Sequence, residues 1–306
     1  MAGRVFISCG QATEEERKVA SDLRGYFAKR GFQPYVAIQV QSIQDVNTSI
    51  ISELKLADFY VFVDFAREAL PAPHANQSRG SLFSNQELAI AYLLGFEKVI
   101  FLQQKDVLLE GLLRYMASNA TRFSSPTEVM PAVERLVKER AWDPHYSRHL
   151  VVDGIHWSDS LIAFGSHTGE SLVGRFLYLD IHNRRTDLAA FNCVARLASI
   201  SCPPAPPQPS PDRSHLKVTG QPGFVQTIWP SSSGAFDLLI AKAQDAGSIL
   251  LNNALDVIPK PSILSAPGDY RLHYEVLAEG FPVLQLAVDL KATGVPDTTQ
   301  ASLATS

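Results

Sequence analysis

The stretch Val5-Phe6-Ile7-Ser8-Cys9 is a short apolar strand pattern, and it opens a regular alternation of strands and helices that runs to about Arg140. Further along, Phe59-Tyr60-Val61-Phe62-Val63 is a continuous apolar run, typical of a central strand that is covered on both faces. Between the strands, apolar residues recur every four positions, as on one face of a helix. Strands that alternate with such helices predict a flavodoxin-like α/β fold with a parallel sheet and right-handed crossovers.

The predicted elements of this half follow from the same periodicities and from helix-start and turn residues. Strands are expected at residues 5–8, 32–37, 59–63, 99–102 and 121–123; helices are expected after Thr13, around 46–54, and at 84–94, 108–117 and 125–137, with a loop at 66–80. In such folds ligands bind outside the carboxyl ends of the strands. That edge is predicted to include residues 8–10, residues 37–42 and the chain from Asp64 onward.

After Trp142-Asp143-Pro144 the pattern changes to evenly spaced strands separated by Gly, Pro, Asn and Ser clusters, which predicts an antiparallel β-sandwich. The expected strands are 161–164, 175–181, 192–200, 216–219, 224–229, 235–241, 270–278 and 283–290. The Pro-rich segment 201–211 is expected to be a surface loop. We therefore divide the chain into an α/β domain at 1–143, a sandwich at 144–292 and a disordered tail at 293–306.

Composition narrows the class of protein. A chain of 306 residues is long enough for two domains, and a formal net charge of −4 gives no electrostatic reason to expect nucleic-acid binding. No apolar run approaches the roughly 18 residues of a membrane-spanning helix, and no signal segment precedes the first strand. Three cysteines, Cys9, Cys193 and Cys202, indicate reduced thiols and a cytoplasmic protein.

The stretch Ser84-Asn85-Gln86-Glu87 allows two interpretations. It has the spacing of a capping box, in which Ser84 and Glu87 exchange hydrogen bonds at a helix start. The same spacing occurs at Thr13 to Glu16 and at Ser125 to Glu128, so spacing alone does not indicate chemistry. Glu87 differs in its location, since it follows the third strand at the expected ligand-binding edge.

The first strand, the order of elements and the Ser84-x-x-Glu87 helix start together resemble Toll/interleukin-1 receptor (TIR) domains, over residues 4–140 only. The resemblance implies that Glu87 is the catalytic residue for cleaving the nicotinamide–ribose bond of NAD. It also implies that Phe6 and Ser8 contact this substrate; at the same edge we expect Cys9, Asp64 and Ser84 to bind it as well. Bacterial proteins similar to this half commonly act in defence against phage, and they often self-associate.

The implied reaction is reasonable on physical grounds. Nicotinamide leaves as a neutral group while the ribose develops oxocarbenium character, which one fixed carboxylate stabilises. We expect the N-terminus of the helix to keep Glu87 ionised at neutral pH. The reaction needs no metal and no cofactor, because NAD is the substrate.

The other candidate residues carry weaker signals. Asp64 ends a strand and either faces the ligand edge or starts a turn, and Arg79 either contacts a phosphate or is an exposed loop residue. His145 and His149 lack the further ligands of a zinc site, so no metal is expected. The sequence contains no Gly-x-Gly-x-x-Gly turn, P-loop or Gly-x-Ser-x-Gly elbow, which argues against dehydrogenases, nucleotide triphosphatases and serine hydrolases.

Three functions therefore stay open. The first is a NAD nucleosidase whose second domain, at residues 150–292, senses a protein or small-molecule trigger or drives assembly. The second is a non-catalytic TIR-like interaction module in which Glu87 only caps its helix. The third is a nucleoside deoxyribosyltransferase-like enzyme that also acts on an N-glycosidic bond through a single carboxylate.

Overall fold

The structure is a computed structural model that describes residues 2–37, 43–72, 74–108, 115, 119–164, 172–243, 248–253 and 262–304. The chain divides into two compact units, Ala2–Ser147 and Arg148–Ser306. The division falls a few residues beyond the boundary at 143/144 that the sequence suggests. The first unit is a parallel α/β sheet and the second consists of antiparallel β-sheets.

The first unit alternates strands and helices along the chain. Its elements are β1 (Arg4–Cys9), α1 (Glu14–Lys29), β2 (Gln33–Val36), α2 (Ile43–Leu56), β3 (Phe59–Asp64), β4 (Glu68–Ala69), β5 (Ser78–Arg79), α3 (Leu82–Leu93), β6 (Val99–Gln104), β7 (Val107–Leu108), β8 (Thr121–Phe123), a 3₁₀ turn (Pro126–Glu128) and α4 (Val129–Glu139). All five strands predicted for the main sheet are present.

The main sheet has the strand order β2-β1-β3-β6-β8, and its strand pairs are parallel. One face packs against α1 and α4 through the cluster that includes Val19, Leu23 and Val133. The other face packs against α2 and α3 through the cluster that includes Leu54 and Leu88. From β1 the chain first moves to β2 at one edge of the sheet, and it then returns past β1 to β3 and the strands on the other side. The switch point, where such sheets bind ligands, therefore lies between β1 and β3.

Three predictions for this unit need correction or lie outside the described residues. Helix α3 begins at Leu82 rather than at Ser84, and a 3₁₀ turn comes before α4 where a single helix from Ser125 was expected. The segment 66–80 is not only a loop, because β4 and β5 pair there and β5 also pairs with β7. The helix expected at 108–117 lies mostly outside the described residues, and Leu108 itself belongs to β7.

The second unit consists of β-strands in two antiparallel sheets. Its strands are β9 (Leu150–Trp157), β10 (Ile162–Phe164), β11 (Leu172–Asn183), β12 (Ala190–Ser201), β13 (Gln208–Pro209), β14 (Gln226–Ile228), β15 (Ser233–Lys242), β16 (Ile249–Leu250), β17 (Ser262–Leu264), β18 (Gly268–Leu277), β19 (Leu284–Ala292) and β20 (Gln300–Leu303). The path of one sheet is β10-β11-β15-β16-β17 with β9 on β11, and that of the other is β13-β12-β18-β19-β20 with β14 on β12. Their inner residues form one shared apolar cluster.

The prediction of a disordered tail at 293–306 is wrong for the described residues 293–304. A 3₁₀ turn at Pro296–Thr298 leads into β20, which pairs antiparallel with β19, and Thr299 is buried. Residues 216–219, expected as a strand, do not form a continuous ladder. Only isolated β-bridges occur there, from His215 to Arg196 and from Val218 to Phe236. Within the segment predicted as a Pro-rich loop, Gln208–Pro209 forms the edge strand β13, an allowed place for proline.

Candidate functional site

Glu87 projects from α3 toward the sheet and not into solvent. The buried residues of this helix are Ser84, Glu87, Leu88 and Ala91, which share one helical face. The Glu87 side chain accepts a hydrogen bond from the Ser8 hydroxyl, with 2.5 Å between Oγ and Oε2, although the two residues are 79 positions apart. Only 8% of Glu87 is exposed. The structure therefore joins the helix to the carboxyl end of β1 through this carboxylate.

The capping-box interpretation of Ser84 and Glu87 is wrong. The N-cap of α3 is Ser81, whose hydroxyl accepts a hydrogen bond from the Ser84 backbone N–H at 3.4 Å. Glu87 then lies in the second turn of the helix, too far along to reach back to the first free N–H groups. Thr13, in contrast, caps α1 as expected and accepts from the Glu16 N–H at 3.2 Å.

Asp64 holds the start of α3 in place. This aspartate ends β3, is fully buried, and accepts a hydrogen bond from the Ser81 N–H at 3.1 Å. Gln103, its neighbour across the β3–β6 pair, donates to the other carboxylate oxygen at 3.5 Å. A Cβ added at Gly80 would come within 2.2 Å of both Asp64 oxygens, so only glycine fits there. Asp64 thus positions the helix that presents Glu87.

Burial shifts both carboxyl groups toward neutral pH. Burial raises the pKa of Glu87 to about 7, and the Ser8 hydrogen bond only partly opposes the rise. Burial also raises the pKa of Asp64 to about 6, against the hydrogen bonds from Ser81 and Gln103. The expectation that the helix N-terminus keeps Glu87 fully ionised is therefore wrong, since the helix dipole acts mainly within the first turn.

Phe6 and Tyr60 form the apolar floor beneath the Ser8–Glu87 pair. The two residues are partners in the β1–β3 register, and their rings stack with centroids 6.0 Å apart. Both are fully buried, so the predicted contact between Phe6 and a substrate stays a prediction. Among the described residues the Tyr60 hydroxyl has no hydrogen-bond partner. Burial and the Glu87 charge raise the Tyr60 pKa, while the nearby Ser8 hydroxyl, outside hydrogen-bonding geometry, offsets part of the rise.

Cys9 lies on the opposite face of the sheet, away from Glu87. It belongs to the apolar cluster under α1, its thiol contacts the Gly10 carbonyl at 3.5 Å, and burial raises its pKa well above the usual range. Because the thiolate is the reactive form, this cysteine is poorly suited to be a nucleophile. Whether it contacts a substrate stays a prediction.

An ion pair that sequence reasoning missed lies at the same end of the sheet. Arg67 donates to both carboxylate oxygens of Glu16, and Glu16 also accepts from the Ala12 N–H at 2.8 Å. Burial tends to raise the pKa of Glu16, but the Arg67 hydrogen bonds, the backbone hydrogen bonds at the start of α1 and the Arg67 charge together lower it. The pair therefore stays charged and ties the loop after β3 to the start of α1.

The described residues contain no group of three or more His, Cys, Asp or Glu side chains placed to hold a metal ion. His145 belongs to the first unit, where its backbone N–H donates to the Asp143 carboxylate at 2.9 Å, and His149 is buried in the second unit. Arg79 belongs to strand β5. Residues 38–42 of the predicted ligand edge lie outside the described part of the chain.

No helix in the described part of the chain is both long and apolar enough to cross a membrane.

Comparison with known proteins leaves the family open. No protein-family model matches the chain, and no curated protein matches it. Similar solved structures include a CMP N-glycosidase from Clostridium botulinum, 18% identical over 43% of this chain and 98% of its own, with a TM-score of 0.32. A 2-deoxyribosyltransferase from Bacillus psychrosaccharolyticus is 14% identical over 42% of this chain and 90% of its own, with a TM-score of 0.27.

A third similar structure is a beta-glucosidase from Listeria innocua, 12% identical over 94% of this chain and 45% of its own, with a TM-score of 0.26. This chain thus spans less than half of that protein. Identities and TM-scores this low say nothing about what the chain does, so a function has to be inferred from the site itself.

Proposed function

We propose that the first unit is an enzyme that cleaves the N-glycosidic bond of a nucleoside-type substrate, with Glu87 acting at the ribose. The observation that carries this proposal is the Ser8–Glu87 hydrogen bond, which fixes a buried carboxylate at the switch point between β1 and β3. A residue that only capped its helix would bond the backbone at the helix start. Glu87 does not, because Ser81 and Asp64 already serve that purpose.

The chemistry follows from the charge of the ionised carboxylate. The bond between the ribose C1′ and the base nitrogen breaks, and its electron pair leaves with the base. Positive charge then develops on C1′ and the ring oxygen, and a carboxylate beside them stabilises it. Water adds to C1′ and releases a proton, which completes a hydrolysis. Ser8 orients the carboxylate by donating to one oxygen and leaves the other toward the substrate.

NAD is the first substrate to test. Its nicotinamide is bound to the ribose as a cationic pyridinium and leaves neutral, so the enzyme need not protonate the leaving group. A single carboxylate therefore suffices for this substrate. This substrate also accords with the resemblance of the first half to TIR domains.

A nucleoside or nucleotide is the second candidate, and the pKa of Glu87 favours it. A neutral purine or pyrimidine leaves readily only if it gains a proton as the bond breaks. A carboxyl group with a pKa of about 7 holds a proton in about half of the molecules at neutral pH. Glu87 could then donate a proton to such a base or, when ionised, stabilise the ribose.

The test is release of the base by the full-length protein, measured by chromatography with NAD, cytidine, inosine and their deoxy forms. Glu87→Gln keeps the size and the acceptor for Ser8 but removes the charge, so we expect a loss of roughly 10²- to 10³-fold. Glu97→Gln is the matched control, since it makes the same change at an exposed position just beyond α3.

The outcomes separate the candidates. Release of nicotinamide supports the NAD nucleosidase, and release from nucleosides alone supports the second candidate. If neither is cleaved at low or high protein concentration, or if Glu87→Gln keeps activity within a few-fold of the wild type, Glu87 is not catalytic. The non-catalytic interaction module then becomes the better description.

A further inference from the structure

The outer face of α3 is mostly apolar and carries no charge. Along Leu82–Leu93 the only charged residue is Glu87, which is buried on the inner face. Four large side chains are exposed instead: Leu82 at 66%, Phe83 at 57%, Tyr92 at 65% and Leu93 at 81%. A surface helix normally turns charged or polar residues to water. Contiguous exposed apolar residues of this kind mark an interaction surface.

Two of these residues, Leu82 and Leu93, lie on a regular stripe of the helix surface. Leu82, Gln86, Ala89 and Leu93 follow one another at spacings of four, three and four, which places them along one line of the helix surface. Such a 4-3-4 pattern is the seam along which two helices pack. The small residue Ala89 near the middle allows the two helix backbones to approach closely.

The large exposed residues of α3 are also placed symmetrically along the chain about the midpoint of the helix, between Glu87 and Leu88. Leu82 lies as far before that point as Leu93 lies after it, and Phe83 and Tyr92 are related in the same way. When two copies of such a helix pack antiparallel across a two-fold axis, Leu82 of each copy meets Leu93 of the other, while Phe83 and Tyr92 lie on opposite flanks of the contact because nine positions correspond to about two and a half turns. An isologous contact requires this kind of self-complementary surface.

We propose that a second copy of this chain covers the outer face of α3, with the two α3 helices antiparallel about a two-fold axis. The matching leucines at the two ends favour a copy over a different partner, and this face carries no charge through which it would select one. The exposed area is adequate as well. At about 200 Å² for a whole large side chain, the four residues expose about 500 Å² per copy. A pair that covered all four residues in both copies would bury at most about 1,000 Å², near the lower limit for a specific interface.

This pairing leaves the candidate site on the other side of the helix. Glu87 lies on the buried face of α3, opposite the stripe, so the inference holds whether or not Glu87 is catalytic. An interface of this size predicts a dimer that dissociates on dilution.

The test is the mass of the full-length protein by sedimentation velocity and light scattering, from low micromolar concentration to the highest soluble one. The chain has a mass of 33.5 kDa, and we expect twice that value at high concentration. Leu82→Glu and Leu93→Lys each place a charge in the stripe. Neither should destabilise the helix itself, because a negative charge is favourable at its N-terminus and a positive charge at its C-terminus. Each should weaken the dimer about 100-fold or more, since a buried unpaired charge is strongly unfavourable.

The double variant Leu82→Glu/Leu93→Lys distinguishes the antiparallel arrangement from a general effect on folding. In an antiparallel pair each introduced glutamate faces the introduced lysine of the other copy, so the double variant should recover much of the wild-type dimer. Val225→Glu, at an exposed apolar position of the second unit, is the control and should not change the mass. A wild-type monomer at every concentration, or single variants that dimerise like the wild type, would overturn the proposal.

Discussion

Replacing Glu87 by glutamine should make the protein more stable at alkaline pH than the wild type. The carboxyl group has a pKa of about 7 in the folded protein against 4.5 for the unperturbed group. Between these values the folded state holds a proton that the unfolded state has released, so wild-type stability falls as the pH rises through this window. Below it both states are protonated, and above it both are ionised. Glutamine does not titrate, so the variant lacks this loss.

The size of the effect follows from the two pKa values. A shift from 4.5 to about 7 corresponds to about 3 kcal/mol in total, of which about 2 to 3 kcal/mol is lost between pH 5 and pH 8. Asp64 contributes in the same direction, because its pKa is also raised, but equally in both proteins. The difference between variant and wild type therefore isolates Glu87.

The measurement is urea unfolding of both full-length proteins at pH 5 and pH 8. Because the two units can unfold separately, hydrogen exchange at peptides from β1 and β3 should identify the transition of the first unit. The free energy of unfolding of the variant minus that of the wild type should be about 2 to 3 kcal/mol larger at pH 8 than at pH 5. A difference that does not depend on pH would refute the burial of an ionisable Glu87.

Three further predictions follow from the same region and from the second unit. Gly80→Ala should destabilise the first unit by about 1–3 kcal/mol in thermal unfolding, because the added Cβ meets the Asp64 carboxylate. The control Gly25→Ala, in open space on α1, should stabilise the unit by about 0.5–1 kcal/mol, and equal effects of the two substitutions would contradict the close approach at Gly80. Ser8→Ala removes the donor to Glu87, so the pKa of Glu87 should rise. In the pH profile of any activity that requires the ionised carboxylate, the midpoint should then lie about one pH unit above that of the wild type. An unchanged midpoint would show that the hydrogen bond does not stabilise the ionised form. Deleting everything beyond β19 should lower the melting temperature of the second unit by several degrees, whereas loss of a disordered tail would leave it unchanged.

The sheet of the first unit could be predicted from sequence because its signals are local. Central strands covered on both faces need apolar residues at every position, and β3 shows this directly, with all six residues buried. The stripe of α1 was equally clear, and its residues Val19, Leu23 and Phe27 are all buried. Periodicity within a few residues was sufficient in these cases.

The start of α3 could not be predicted because a distant residue decides it. Both Ser81 and Ser84 are suitable caps, and the choice between them depends on the hydrogen bond from the Ser81 N–H to Asp64, 17 positions away. The bond from Ser8 to Glu87 spans 79 positions. A sequence pattern could therefore indicate that Glu87 lies at the right edge of the sheet, but not what it bonds.

The missed strands of the second unit have a different cause. β20 contains only small and polar residues apart from Leu303, and it joins the sheet as an edge strand through backbone hydrogen bonds. β9 packs Leu150, Val152, Ile155 and Trp157 against the core, but a bulge between Val152 and Gly154 breaks their alternation along the strand. An edge strand of small residues and a strand interrupted by a bulge both leave no continuous hydrophobic period to find.

The energetics of Glu87 also bear on whether this residue serves the fold or the proposed reaction. A buried carboxyl group with one neutral donor destabilises the folded protein at any pH at which it is ionised. An amide in the same place would accept the same hydrogen bond without that cost. Helix capping does not require the residue either, because Ser81 and Asp64 satisfy the start of α3. A side chain that lowers stability near neutral pH, at the switch point of the sheet, therefore fits the role proposed for Glu87 better than a purely structural one.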